Sequence, residues 1–346
     1  MDRRQFVASG LALPLSYVTR AFAAEPIFIG DMHAHFYFDG RGVMRSPPLA
    51  GAMAAGNATL VAWSLVGDLL WMGRTPRGYA QTAVPLPGVP LGWFERELAR
   101  IKKHAAEQNL KIVRSASDVD RALRGEPHVV LAVEGASFIE DDVGRVQAAY
   151  DLGVRHLQLV HYIKNSVGDF QTEQPEYNGL SDLGKKVVQE CNRLGILVDL
   201  AHCSSEAVTQ ALTLSKAPMV WSHSSVTASR KPDWTMIGWR ARQLTLESAK
   251  AIARKGGVVG LWALRLDVGD SIEAYADRLL QMAEWLGEDH VAFGSDMNGL
   301  GRHAVINEYA DFRRLMAHWE QRRVPEGRVR KLAIENYARV LRQALS

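Results

Sequence analysis

Eight apolar runs recur along the chain, over residues 27–35, 58–66, 128–134, 154–161, 196–202, 218–223, 258–264 and 290–296. Most are rich in Val, Ile and Leu without strict alternation, which predicts parallel strands buried on both faces. Stretches of helical period lie between them, clearest over 93–108, 143–152, 181–194, 205–214, 245–255 and 271–286. Ser181, Ser204 or Ser205, and Thr245 stand where N-caps are wanted. Gly153, Gly195, Gly256 and Gly287 follow helix ends, where a left-handed residue closes the last turn. Strand, helix, strand repeated about eight times predicts an α/β fold, the (β/α)8 TIM-type barrel. A doubly wound open sheet is the rival. No Gly-x-Gly-x-x-Gly follows the first run, which weakens its dinucleotide-binding form. Residues 111–114 read as a short ninth strand outside the barrel. Two long connections, 36–57 and 67–90, are rich in Gly, Pro and Trp and read as lids or pocket walls. Two closing helices are expected over 309–321 and 326–345.

The chain has 346 residues, 47% hydrophobic and 23% charged. This balance excludes wholesale disorder and low-complexity structure. A chain of this length buries a large core without disulfides or structural metal, so a metal here is expected to serve chemistry. Lys plus Arg is 41 and Asp plus Glu is 38, a net charge of +3. Most of that charge sits before residue 24, in Arg3, Arg4 and Arg20 against Asp2. The nearly neutral remainder gives no electrostatic reason to expect nucleic acid or an anionic membrane as partner. The two cysteines, Cys191 and Cys203, make neither a disulfide framework nor a Cys-x-x-Cys site.

Arg3-Arg4-Gln5-Phe6 precedes an apolar run reaching Val18, and Ala21-Phe22-Ala23 offers a small-x-small cleavage site. This order reads as a twin-arginine export signal over residues 1–23, followed by one barrel domain over 24–346. Gly10 and Pro14 disfavour the alternative, an ordinary amphipathic first helix. The run is shorter than the roughly 20 residues of a membrane span. A periplasmic or secreted protein without a stable membrane anchor in its mature form is therefore expected. The twin-arginine route carries proteins already folded, which suits a metal site loaded before export.

The chemistry gathers at one end of the predicted strands. His33 and His35 close the first run, Glu134 the third, His161 the fourth, His202 the fifth, His223 the sixth and Asp296 the eighth. In a barrel those C-terminal ends converge on one mouth, where active sites are built. His33 and His35 are two apart on a strand, so both imidazoles point to one side and reach one cation. His202 and His223 come from adjacent strands and suit a second cation, with Glu134 between the two. Imidazole and carboxylate ligands without thiolate suit Zn²⁺, Mn²⁺, Co²⁺ or Fe²⁺. Two such ions about 3.5–4 Å apart activate a bridging water and polarise a carbonyl. The remaining histidines, 104, 128, 156, 290, 303 and 318, lack this context and read as structural or solvent-facing. Cys203 neighbours a proposed ligand on the opposite face and reads as a packed thiol.

At these residues the sequence resembles the membrane dipeptidase (renal dipeptidase) family of zinc metallopeptidases, within the amidohydrolase-like barrels. The resemblance runs from about Ile27 to the end of the chain. Its markers are Val133-Glu134-Gly135, the stretch from Asn178-Gly179-Leu180-Ser181 to Leu200-Ala201-His202, Ser222-His223-Ser224-Ser225, Phe293-Gly294-Ser295-Asp296 and Glu335-Asn336-Tyr337-Ala338-Arg339-Val340. The resemblance implies a binuclear hydrolase that cleaves dipeptides with a metal-bridging hydroxide, using two divalent ions, zinc foremost. It implies that His33 binds the first metal, that Glu134 bridges, and that His202 and His223 bind the second. His161 would contact the substrate carbonyl and Asp296 would stand beside the metal-bound water. Arg242 would hold the substrate's C-terminal carboxylate. A dipeptide is then the expected partner, and a homodimer fits the same reading.

Two departures bear on the substrate. The family's first-strand motif is usually His-x-Asp, whereas here it is His33-Ala34-His35, with His35 in the place of the usual ligand carboxylate. A neutral imidazole there removes one negative charge and makes the first ion a stronger Lewis acid. The segment 226–239, carrying Trp234 and Trp239, looks longer than usual and stands where it can reshape the pocket. Arg242 is followed by Gln243 where the family usually has Asn, a looser match. Two other functions therefore stay open. One is an amidohydrolase acting on another amide, lactam or ester, which the His-x-His pair favours. The other is a metal-dependent binding protein without turnover, against which Asp296 argues.

Overall fold

Eight parallel strands close a ring in the computed structural model, which describes residues 26–38, 47–229 and 231–346. They are β1 (Ile29–Ala34), β2 (Ala58–Val66), β3 (His128–Glu134), β4 (Val154–Gln158), β5 (Leu197–Asp199), β6 (Val220–Trp221), β7 (Val258–Leu261) and β8 (Val291–Phe293). Each strand hydrogen-bonds the next in sequence, and β8 returns to β1 through Phe293 and Asp31. The longest pairing sets Leu60–Val66 of β2 against His128–Glu134 of β3. Lys111–Ile112 adds a short parallel strand to β3 outside the ring. This is the (β/α)8 barrel that the apolar runs predict. The expected export signal over 1–23 lies outside the described residues.

Local chemistry explains most of the helices. Ser181, Ser204, Thr245 and Ser271 each accept a hydrogen bond from the backbone N–H three residues on, as N-caps do. The helix Val89–Glu107 begins four residues ahead of the predicted start, with Pro90 in its first turn, where the missing N–H costs nothing. Leu49–Ala55, Ala116–Leu123 and the single turn Arg265–Val268 escaped the periodicity. Leu49–Ala55 is built of apolar residues and has no polar face to read. Ala116–Leu123 is only eight residues long and rests on a capping box between Ser115 and Asp118. The connection 67–90 folds in part as a hairpin, Met72–Thr75 against Gly78–Gln81.

Six of the eight strands stop earlier than the apolar runs suggest, and the reason lies at the mouth. β5 ends at Asp199, three residues before His202, and β8 ends at Phe293, three before Asp296. His202 and Asp296 have φ of 70° and 54°. Left-handed backbone cannot continue a strand and costs about 1–3 kcal/mol at a non-glycine residue. Both residues carry site side chains, and the turn re-aims them over the barrel axis. Just below, a Cβ on Gly294 would lie 1.7 Å from Ser222 O, so only glycine lets the end of β8 approach β6 this closely.

The closing segment is not one uninterrupted helix. Glu326–Arg330 and Asn336–Ala344 flank a wider turn, Lys331–Glu335. Ile334 of that turn packs on Gly30 of β1, and Asn336 Nδ2 donates to Val291 O at 2.8 Å. The tail thus plugs the end of the barrel opposite the mouth.

Candidate metal and catalytic site

Asp31 sets the first strand in place. It is buried and accepts hydrogen bonds from Ser295 N–H (2.9 Å), Ser295 Oγ–H (2.5 Å) and Tyr309 Oη–H (3.2 Å), which tie β1 to the loop after β8. From that strand His33 and His35 converge until their Nε2 atoms are 3.1 Å apart. Glu134, the last residue of β3, presents Oε1 3.4 Å from His33 Nε2 and Oε2 3.5 Å from His35 Nε2. From the other side, His202 and His223 bring their Nε2 atoms to 3.2 Å of each other and to 3.4 Å of Glu134 Oε1. His161 Nε2 is 3.3 Å from the same oxygen. Five imidazoles surround one buried carboxylate.

Two sets of ligand atoms follow, His33 with His35 and Glu134, and Glu134 with His202 and His223, each within 4.8 Å. Three of the imidazoles are held from behind. His35 Nδ1 is 2.9 Å from Ser64 O, His33 Nδ1 is 3.1 Å from Ser64 Oγ, and His223 Nδ1 is 2.9 Å from Ser222 Oγ. A proton placed on Nδ1 by such contacts leaves the Nε2 lone pair facing the shared centre. Neutral imidazoles around a carboxylate form a donor set suited to divalent transition ions. A third grouping, His33, Asp199 and His223, is different. Asp199 Oδ1 is already taken by the N–H groups of Ala201 and Ser222, and Oδ2 faces His156 at 3.3 Å. It supports the site from below.

The electrostatics separate the imidazoles of the two sets. Burial pushes the pKa of His202 well down, and Arg242 and His161 add to the effect. Burial, with His33 beside it, does the same to His223. Both stay neutral, the form that binds metal. Burial alone would raise the Glu134 carboxyl; His161 and His33 outweigh it and hold the group well below the usual carboxylate range. Burial would lower His35, but Asp296 and Glu134 push it up to about 9. Burial also opposes protonation of His161, and Asp68 and Glu134 overcome it, so its pKa is raised.

Asp296 Oδ1 lies 3.3 Å from His35 Nε2, at the edge of the first ligand set. Arg242 is buried, with Nη1 donating to Gln171 Oε1 at 2.7 Å and Nη2 3.2 Å from His223 Nε2. None of the carboxylates among the described residues pairs with it, and its Nε has no hydrogen-bond partner. A buried guanidinium without a counterion is costly unless an anion completes it. The structure therefore gathers all eight predicted site residues in one mouth. Cys203 is buried and free, and burial pushes its thiol pKa up. His303, expected to be peripheral, reaches the cavity wall.

Three residues of the site went unnoticed in the sequence. Asp68 Oδ1 is 2.6 Å from His161 Nδ1, and its Oδ2 accepts from the N–H groups of Tyr162 and Ile163. Gln171 holds Arg242, and Tyr162 lies beneath its guanidinium, 6.0 Å from the ring centroid. Asp68 stands two residues beyond β2, so the rule that located the other site residues at strand ends reaches it too. The cavity over the site measures about 1220 Å³.

The model of the family described as membrane dipeptidase, peptidase family M19, matches residues 93–346. The chain belongs to the membrane dipeptidase family. The family match includes Glu134, His161, His202, His223, Arg242 and Asp296 and begins after the strand that carries His33 and His35. Dipeptidase tcpJ of Claviceps purpurea is 28% identical over 242 residues, 68% of this chain and 55% of the relative. Dipeptidase verJ of Clonostachys rogersoniana is 29% identical over 238 residues, 67% of this chain and 59% of the relative. The chain spans little more than half the length of these relatives. Among solved structures, the probable dipeptidase PvdM of Pseudomonas aeruginosa superimposes with a TM-score of 0.76 at 19% identity, covering 93% of this chain and 96% of that one. A metallo peptidase of Rhodobacter sphaeroides, liganded with a phosphinate mimic of the dipeptide L-Ala-D-Ala, gives 0.72 at 23% identity, covering 92% and 99%. At such identities the likeness shows the shared fold.

Proposed function

We propose that this member of the family is a metal-dependent dipeptidase with two divalent ions, zinc foremost. The observation that carries the reading is Glu134 within 3.3–3.5 Å of five imidazoles, beside the Arg242 guanidinium, which pairs with no carboxylate among the described residues. His33, His35 and one Glu134 oxygen would hold the first ion. His202, His223 and Glu134 would hold the second. The ions, when bound, supply a Lewis acid for the scissile carbonyl and a water activated at neutral pH.

This chain's residues do the rest. Arg242 clamps the free carboxylate of the substrate, a charge-assisted contact that restricts cleavage to short peptides. His161, its pKa raised beside Asp68 and Glu134, is held by Asp68 through Nδ1 and turns Nε2 toward the carbonyl oxygen, where negative charge develops. Asp296 accepts the proton of the attacking water and delivers it to the leaving amine.

A second reading draws on His35. An imidazole in place of the usual carboxylate favours an amidohydrolase acting on another amide, a lactam or an ester. Elemental analysis of the purified protein, joined to a panel of dipeptides, lactams and aryl esters, tests both. About two equivalents of a divalent metal with dipeptides cleaved best supports the first. A protein without metal, inactive after addition of Zn²⁺, Mn²⁺ or Co²⁺, overturns both.

We also propose export by the twin-arginine route, with cleavage after Ala23 and a periplasmic or secreted product. The Arg3-Arg4 pair and Ala21-Phe22-Ala23 support this reading. No helix among the described residues is long and apolar enough to cross a membrane. Cell fractionation of the parent and of R3K/R4K tests it, with the variant expected to stay in the cytoplasm.

A further inference from the structure

The cavity is larger than a dipeptide of two small residues requires. Pockets of about 300–1,000 Å³ bury a drug-sized ligand, and this one measures about 1220 Å³. Its walls beside Arg242 are aromatic and aliphatic. Trp262 lies with its ring centroid 5.6 Å from the Arg242 guanidinium carbon, and Trp239, Leu264, Leu266 and Tyr79 line the same cavity, whose wing is the part these residues wall. Leu266 and Tyr79 are 56% and 44% exposed. Large apolar side chains left open beside a buried cation mark a surface awaiting apolar cover.

The wing is also held rigid. Trp262 Nε1–H donates to Asp267 Oδ2 at 2.8 Å. Asp267 in turn accepts from Gln243 Nε2 at 2.9 Å and from the Ser225 hydroxyl. The ring is therefore fixed in orientation before any ligand arrives, which lowers the entropy cost of binding. On the far side, Gly238 N–H donates to Arg77 O at 2.9 Å, joining the hairpin Met72–Thr75/Gly78–Gln81 to the segment that carries Trp239. The long 226–239 segment thus supplies a wall of this wing.

We propose that the wing is a specificity subsite for the side chain of the substrate's C-terminal residue, and that it selects large apolar or aromatic side chains. The inference rests on the dipeptidase reading, because Arg242 must hold the carboxylate next to that side chain. A side chain on the carbon adjoining the clamped carboxylate emerges within reach of the Trp262 ring. Burying a phenylalanine-sized group there, where glycine buries nothing, is worth at least about tenfold in binding.

The test uses the full chain supplied with Zn²⁺ and three substrates, alanyl-glycine, alanyl-leucine and alanyl-phenylalanine. The expected kcat/KM rises at least about tenfold from the first to the last. Leu266→Asp, at an exposed position, should lower kcat/KM for alanyl-phenylalanine at least about fivefold more than for alanyl-glycine. A flat series, or an unchanged ratio in Leu266→Asp, overturns the subsite. Calorimetry with N-acetyl-glycine and N-acetyl-phenylalanine reads the same preference without turnover. No dipeptide cleavage, with N-acetyl-phenylalanine still bound about tenfold tighter, supports the subsite and overturns the dipeptidase reading. Dipeptide cleavage with equal affinities does the reverse.

Discussion

Asp68 and His161 meet at 2.6 Å across 93 residues of sequence, and that contact decides which nitrogen of His161 faces the site. With Nδ1 committed to Asp68, only Nε2 points at Glu134. Asp68 also holds the N–H groups of Tyr162 and Ile163, so it fixes the backbone that follows His161. Asp68→Asn keeps the size but cannot accept all three hydrogen bonds. We expect kcat/KM to fall about 10–100-fold, as for other groups that orient a site residue, with metal content unchanged. Steady-state kinetics and elemental analysis of the variant check this, and unaltered turnover would show that the contact is idle.

Among the described residues, Glu134 is the one carboxylate shared by both proposed ligand sets. Glu134→Gln retains the shape and removes the charge that offsets two cations. The fold should persist, at least one ion should be lost, and most activity with it. Circular dichroism and metal analysis on the same sample separate these outcomes. Full metal content with near-normal turnover would remove Glu134 from the bridging position.

His35 stands where the resemblance implies an aspartate. His35→Asp is expected to keep two ions and part of the hydrolysis, whereas His35→Ala should weaken the first ion selectively. Titration of each variant with Zn²⁺ after chelator treatment gives the two affinities. An alanine variant that binds like the parent would mean that the 3.5 Å approach to Glu134 carries no ligand bond.

Asp296 and Arg242 separate chemistry from recognition. Asp296→Asn should lower kcat at least about 10²-fold with a modest change in KM, as expected for a group that moves a proton. Arg242→Ala should mainly raise KM for free dipeptides, although remote binding energy also appears in kcat. A C-terminally amidated dipeptide should hardly register the change. Equal cleavage of free and amidated dipeptides by the parent enzyme would leave Arg242 without its assigned ligand.

Two glycines give opposite stability predictions. A Cβ on Gly294 meets Ser222 O at 1.7 Å, whereas one on Gly327 meets nothing within 4 Å. Gly294→Ala should destabilise by about 3 kcal/mol or more, since backbone cannot yield as a side chain can. Gly327→Ala, in the helix Glu326–Arg330, should stabilise by about 0.5–1 kcal/mol. Urea unfolding of both variants reads the contrast, and a neutral Gly294→Ala would mean that β8 can move away from β6.

The sequence by itself determined the barrel and most of the site. Each strand announced itself as an apolar run, and each candidate ligand as a polar residue closing such a run, because parallel strands bury both faces and open at one shared end. His33, Glu134, His202, His223 and Asp296 were legible for that reason alone. Short helices such as Leu49–Ala55 were not, since seven residues without a polar face carry too little period to register. Only the tertiary structure decided that Asp68 orients His161, that Gln171 holds Arg242, and that Asp267 pins Trp262. Those pairs join loops from different strands, and their meeting depends on closure of the ring rather than on any local repeat. The same closure accompanies the left-handed backbone of His202 and Asp296, which ends their strands early and sets His202 on Glu134 and Asp296 on His35.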